Sequence, residues 1–143
     1  MLYSRSKDHR RKIYWKEIRL LEDLTTEAQR KLETAENIWF GSVRPDGRPH
    51  LAPVWFAWTG SKLYICIEER SIKGRNVAGN PQVVLALEDG LNPVICEGTA
   101  VSLPGPLPPD VVAIFRRKYN WDISSDGQYN QLLEITPSKW MAW

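Results

Sequence analysis

Lys73 and Arg75 stand two residues apart in the polar segment S-I-K-G-R-N-V-A-G-N-P, which runs from Ser71 to Pro81 between two apolar runs. An ammonium and a guanidinium this close can hold an anionic group, the first as a movable point charge and the second as a planar fork. Ser71 is placed to cap a first helical turn, and a helix start leaves backbone N–H groups free to meet the same anion. The same pair on a solvated surface would need no ligand, and spacing alone leaves both readings open.

No other group of residues has the pattern of a catalytic centre. His9 and His50 are the only histidines, too few for a three-histidine metal site within one chain. Cys66 and Cys96 each lie in an apolar run with no C-x-x-C neighbour, so two reduced thiols, no disulfide and no metal requirement are expected. No residue reads as a general base or covalent nucleophile, and the catalytic residues stay unassigned.

Short elements must position the polar segment. A helix is expected from about Glu27 to Glu36, with Thr26 and Gln29 at capping-box spacing and Ala28, Leu32 and Ala35 on its apolar face. Strands are expected at Ile38 to Val43, Pro49 to Trp58 and Lys62 to Ile67, joined by the turn sequences R-P-D-G-R and T-G-S. Further strands are expected at Gln82 to Glu88, Val94 to Leu103 and Gln131 to Thr136. The connector P-G-P-L-P-P leads into a helix from Asp110 to Tyr119, opened by Pro108-Pro109. Regular alternation of strand and helix is absent, as is G-x-G-x-x-G, which argues against a dinucleotide-binding fold. The expected fold is mainly β, an antiparallel barrel with small flanking helices.

A chain of 143 residues suits one core. The net charge of +2 is too small to point to a nucleic-acid partner, although the first 19 residues hold seven Lys or Arg against Asp8 and Glu17. Residues 1–24 are therefore read as a basic arm and 25–143 as the domain. No stretch approaches the roughly 18 apolar residues of a membrane span, and the start lacks a signal-peptide pattern, so a cytoplasmic protein without a membrane partner is expected.

Taken in order, four pieces resemble the flavin-binding split-barrel superfamily related to pyridoxamine 5'-phosphate oxidase. They are G-S-V-R-P-D-G-R-P-H-L-A-P-V-W-F from Gly41 to Phe56, S-x-K-x-R-N-x-x-x-N-P from Ser71 to Pro81, E-G-T-A from Glu97 to Ala100, and I-T-P-S-K-W-M-A-W from Ile135 to Trp143. The resemblance runs roughly from Ala28 to the end and implies a split β-barrel. It implies that Ser71, Lys73, Arg75 and Asn76 hold the phosphate of FMN, or alternatively of the deazaflavin F420, while Pro53, Val54, Trp55 and Phe56 lie beside the ring. His50, Tyr64 and Trp143 are further candidates for ring or substrate contact. It also implies a homodimer with the cofactor sites between subunits. Trp55, Trp140 and Trp143 are candidates for the interface, and Trp39 for the core.

The implied function is a small FMN- or F420-dependent oxidoreductase acting on a small molecule, of which the sequence says nothing. No separate substrate domain and no arginine and histidine cluster in the last strand are present, so vitamin B6 oxidation is not carried over. The alternative is a non-enzymatic cofactor carrier or haem-binding protein on the same fold, with His50 the histidine available in the domain body. Arg116, Arg117 and Lys118 could meet the acidic tail of F420 or simply form a solvated helix face.

Overall fold

The structure is a computed structural model that describes residues 17–18 and 24–142. Its frame is one antiparallel sheet. In chain order the elements are β1 (Glu17–Ile18), α1 (Thr26–Thr34), β2 (Ile38–Val43), β3 (Pro49–Val54), β4 (Ala57–Trp58), β5 (Leu63–Ile67), α2 (Ile72–Gly79), β6 (Gln82–Leu87), β7 (Val94–Ser102), α3 (Pro109–Tyr119), a 3-10 turn (Ile123–Ser125) and β8 (Gln131–Ala142). The strands run β3-β2-β6-β7-β8-β5-β4, with β1 added beside β8. Laid flat, β3 and β4 would be roughly 29 Å apart at about 4.8 Å per strand, yet only Trp55 and Phe56 join them, a link of at most roughly 10 Å. The sheet must therefore curl until its two ends meet, which is the expected mainly β, split-barrel architecture.

Alternation along the strands sorts the core into two layers. Leu63, Ile65 and Ile67 of β5 face the barrel interior with Leu133 and Ile135 of β8, Ile38 and Phe40 of β2, and Leu32 of α1. Tyr64 and Leu132 point to the opposite face, where Val111 and Phe115 of α3 cover them. Cys66 and Cys96 are free thiols on β5 and β7, kept apart by β8, which lies between those strands. Among the described residues no helix is long and apolar enough to cross a membrane.

Several expected boundaries move for identifiable reasons. The cap of α1 is Thr25, not Thr26: its Oγ1 accepts from the Ala28 N–H at 3.1 Å, and the helix ends at Thr34. Strand β8 continues past Pro137, which the sequence reading took as its limit, because the register shifts between Glu97 and Gly98 opposite the proline. The single strand expected over Pro49 to Trp58 breaks at Trp55 and Phe56. There the Phe56 N–H donates to the Tyr119 hydroxyl at 3.1 Å and the Phe56 carbonyl accepts from Lys118 Nζ at 3.0 Å, so α3 takes the bonds that a strand neighbour would make.

Trp39 is not a core residue. Its neighbours Ile38 and Phe40 occupy the interior, and alternation turns Trp39 outward with 37% of its surface exposed. Trp140 is the reverse case. It packs edge-on against Trp58 at 5.6 Å inside the barrel, is 2% exposed, and so leaves the set of interface candidates. Of the expected basic arm, Glu17–Ile18 pairs with β8, and residues 1–16 and 19–23 lie outside the described residues, as does Trp143. Leu24, at the arm's boundary, is buried in the core.

Candidate functional site

A cleft of about 790 Å³ opens where the two ends of the sheet meet. Pro53, Val54 and Trp55 from the end of β3 and Cys66, Ile67 and Glu68 from the end of β5 line it beside Ser71 and Lys73 of the α2 start. Tyr119, Asn120 and Trp121 close the other side with Asp126 and Tyr129. The volume lies in the upper part of the range typical of small-molecule sites.

The start of α2 gathers hydrogen-bond donors and a positive charge at the cleft. Ser71 caps the helix, its Oγ accepting from the Gly74 N–H at 3.2 Å, while the N–H groups of Ile72 and Lys73 in the first turn have no intrahelical acceptor. The helix is pinned to the sheet by Asn76, which is 2% exposed and donates from Nδ2 to Ser42 Oγ at 3.0 Å. Asn76 thus holds the turn in place instead of reaching into the cleft. Arg75 also points elsewhere: Nε and Nη2 donate to the Arg70 carbonyl at 3.1 and 3.0 Å.

The remaining expected residues divide in the same way. Trp55 lines the cleft, but Phe56 is fully buried behind it. Tyr64 lies under α3, its hydroxyl donating to Glu134 Oε2 at 2.8 Å, and does not border the cleft. His50 pairs across the hairpin with Ser42 and has a buried Nδ1 without a partner among the described residues. Burial lowers its pKa, and Arg44 and Lys73 push the same way, so the ring is neutral at neutral pH.

Sequence reasoning missed the wall formed by the end of α3 and the loop after it. Asn120 ends α3 in the left-handed conformation, φ 50°, and this reversal sets Trp121 beside Tyr119 and Trp55. The Tyr119 hydroxyl donates to the Glu36 carbonyl at 2.7 Å while accepting from Phe56, tying α3 to the β3–β4 corner. The three cations at the end of α3 do not act as one patch. Arg116 pairs with Asp122 at 3.0 Å and Lys118 lies 3.8 Å over the Phe56 ring, leaving Arg117 exposed.

Lys118 provides a pH test of this corner. Burial lowers its pKa from 10.5 to about 8, with Arg117 acting in the same direction and Glu36 opposing. Between those values the unfolded chain holds a proton that the folded chain has lost, so this contribution favours folding more as pH rises from 8 towards 10. The melting temperature of wild type relative to Lys118→Met should therefore shift in favour of wild type across that window. Taking the difference cancels the thiols of Cys66 and Cys96, which burial raises to about 12. A constant difference from pH 8 to 10 would show that the amine titrates as if exposed.

Comparison with known proteins bears on the fold and the family. A family model described as pyridoxamine 5'-phosphate oxidase matches residues 24–143. An F420 reductase structure is similar with a TM-score of 0.67 and 21% identity, over 82% of this chain and 98% of that one. The haem storage protein HutZ of Vibrio cholerae is similar with a TM-score of 0.70 and 17% identity, over 83% of this chain and 94% of that one. At such identities the likeness is one of fold. No curated protein sequence matches.

Proposed function

The chain belongs to the pyridoxamine 5'-phosphate oxidase family, and we propose that it is a small cytoplasmic oxidoreductase using FMN, or alternatively F420, on a small-molecule substrate. One observation carries this reading. The capped start of α2, with Ser71 and Lys73, opens into the same cleft as the apolar Pro53–Trp55 edge. One ammonium, one hydroxyl and two N–H groups without an intrahelical acceptor suit a phosphate group, and the strand edge suits a flat ring. Arg75 departs from the expected set and would have to leave the Arg70 carbonyl to take part.

Bound there, the cofactor would supply the electron or hydride transfer, the protein contributing anchoring, orientation and exclusion of water. Lys73 would fix the phosphate end, and the Pro53–Trp55 backbone would lie along the polar edge of the ring. Titration with FMN and F420, read by native mass spectrometry, tests the proposal by reporting cofactor and subunit number together. A protein that binds neither would overturn it.

A homodimer belongs to the same reading. Trp39, Leu51 and Val84 are exposed on one face of β3, β2 and β6, where Leu51 and Val84 both lie opposite Gly41. A Cβ on Gly41 would come within 2.8 Å of Val84 Cγ1, so glycine lets these side chains close over the strand. This apolar face continues through Pro53, the partner of Trp39, to the cleft edge, so a second copy seated on it would also cover the cleft. Leu51→Asp should yield a folded monomer. Because a symmetric interface contains the residue twice, burial of roughly 1.5–3 kcal/mol per leucine predicts a dissociation constant raised at least about a hundredfold. Sedimentation at micromolar concentration checks it, and an unchanged dimer would place the interface elsewhere.

The second reading is a haem-binding protein, favoured by the Nδ1 of the neutral His50, which has no partner among the described residues. It expects a Soret band on haem addition that His50→Ala abolishes. A band that survives this change, or no band at all, removes it.

A further inference from the structure

The aromatic wall of the cleft has a chemistry of its own. Trp55 stacks on Tyr119 with ring centres 4.4 Å apart and planes 7° from parallel. Trp121 stands edge-on to Trp55 at 5.8 Å, and Tyr129 edge-on to Trp121 at 6.0 Å. Packing does not consume these rings: Trp55 and Tyr129 keep 44% and 43% of their surface exposed, and both border the cavity.

Two carboxylates line the same cavity, Glu68 and Asp126. The Tyr129 N–H, the Trp121 indole and the Gln128 N–H all donate to Asp126 and hold its pKa below the ordinary carboxylate range. Glu68 accepts from the Gln128 side chain, which ties the loop to the end of β5. Lys73 is the cation bordering the cleft among the described residues. With Lys73 paired to a phosphate, the charge left on the lining is negative, and it lies beside aromatic surface.

We propose that Trp55, Trp121, Tyr129, Glu68 and Asp126 form a substrate subsite for a planar aromatic cation; calling it a substrate subsite rests on the oxidoreductase reading. Stacking on the exposed surface of Trp55, with Trp121 edge-on beside it, selects a flat molecule. The electron-rich ring faces and the two carboxylates select positive charge, and they repel a flat anion of the same shape.

N-methylacridinium and acridine-9-carboxylate are matched probes, titrated into the full chain with and without FMN or F420 while tryptophan fluorescence is followed. The cation should bind at least about tenfold tighter than the anion at low salt, and added salt should narrow the gap. Glu68→Gln keeps a side chain able to bond Gln128 and should reduce that preference about two- to fivefold. Tyr129→Ala should weaken the cation about fivefold, and Tyr129→Phe should restore it. Equal affinities, a preference for the anion, or a preference untouched by both changes overturns the proposal. The cofactor titration is read separately. Binding of FMN or F420 without charge preference overturns the subsite alone, whereas charge preference without cofactor binding overturns the oxidoreductase reading and leaves a cation site.

Discussion

Replacing Lys73 with alanine is expected to weaken FMN binding by roughly ten- to more than a hundredfold while leaving riboflavin binding nearly unchanged. A hydrogen bond between charged groups contributes about 1.5–3 kcal/mol, and about 1.4 kcal/mol corresponds to a factor of ten. Riboflavin carries the same ring without the phosphate, so the comparison isolates the anionic end. The fold should be insensitive to the change, because α2 is held by the Ser71 cap and the Asn76–Ser42 bond, neither of which involves Lys73. Arg75→Ala should have a smaller effect if the guanidinium stays on the Arg70 carbonyl. An effect as large as that of Lys73 would mean that Arg75 turns into the cleft when the phosphate arrives. Equal losses for FMN and riboflavin would assign Lys73 to shaping the turn, and no loss for either would return it to a solvated surface.

The sequence made the α2 start legible because capping is local. Ser71 and the Gly74 N–H it accepts lie within one turn, so residue type and spacing suffice to place them. Strand β2 was equally readable, and its observed limits, Ile38–Val43, coincide with those expected from the apolar run and the turn after it. Periodicity could not tell which side of that strand becomes enclosed. Trp39 was assigned to the core by its size, yet two flanking apolar residues outcompete it for the interior.

Features made by contacts distant in the chain were not readable. The break at Phe56 depends on Tyr119 and Lys118, more than sixty residues later, and no local signal marks it. Arg75 was grouped with Lys73 by spacing, but the Arg70 carbonyl offers its guanidinium a nearer partner. The aromatic wall had a partial signal in Trp121 and Tyr129. What the sequence lacked was the left-handed turn at Asn120 and the Asp126 bonds that set Trp121 against Trp55 and Tyr129 against Trp121.

Gly74→Ala sets two effects of opposite sign against each other in the first turn of α2, beside the cleft. In a helix interior alanine is favoured over glycine by about 1 kcal/mol, so a helix with free space at this position would be stabilised. Here the added Cβ would lie 2.4 Å from the Glu69 carbonyl oxygen and 3.1 Å from Gln131 Oε1. The first contact is with backbone, which no side-chain rotation can relieve, and the helix opposite it is pinned by the buried Asn76–Ser42 bond. Strain from an overfilled site costs typically about 1–3 kcal/mol, which outweighs the helical gain over most of that range. The variant should therefore unfold at lower temperature than wild type. Any relief must come from displacing the first turn of α2 away from Glu69, and that turn carries Ser71 and Lys73. FMN affinity should fall with stability even though no group proposed to hold the phosphate has been removed. Thermal unfolding and FMN titration of the same variant decide the matter: a raised melting temperature with unchanged affinity would mean that the close approach of Gly74 to Glu69 is not what fixes the cleft.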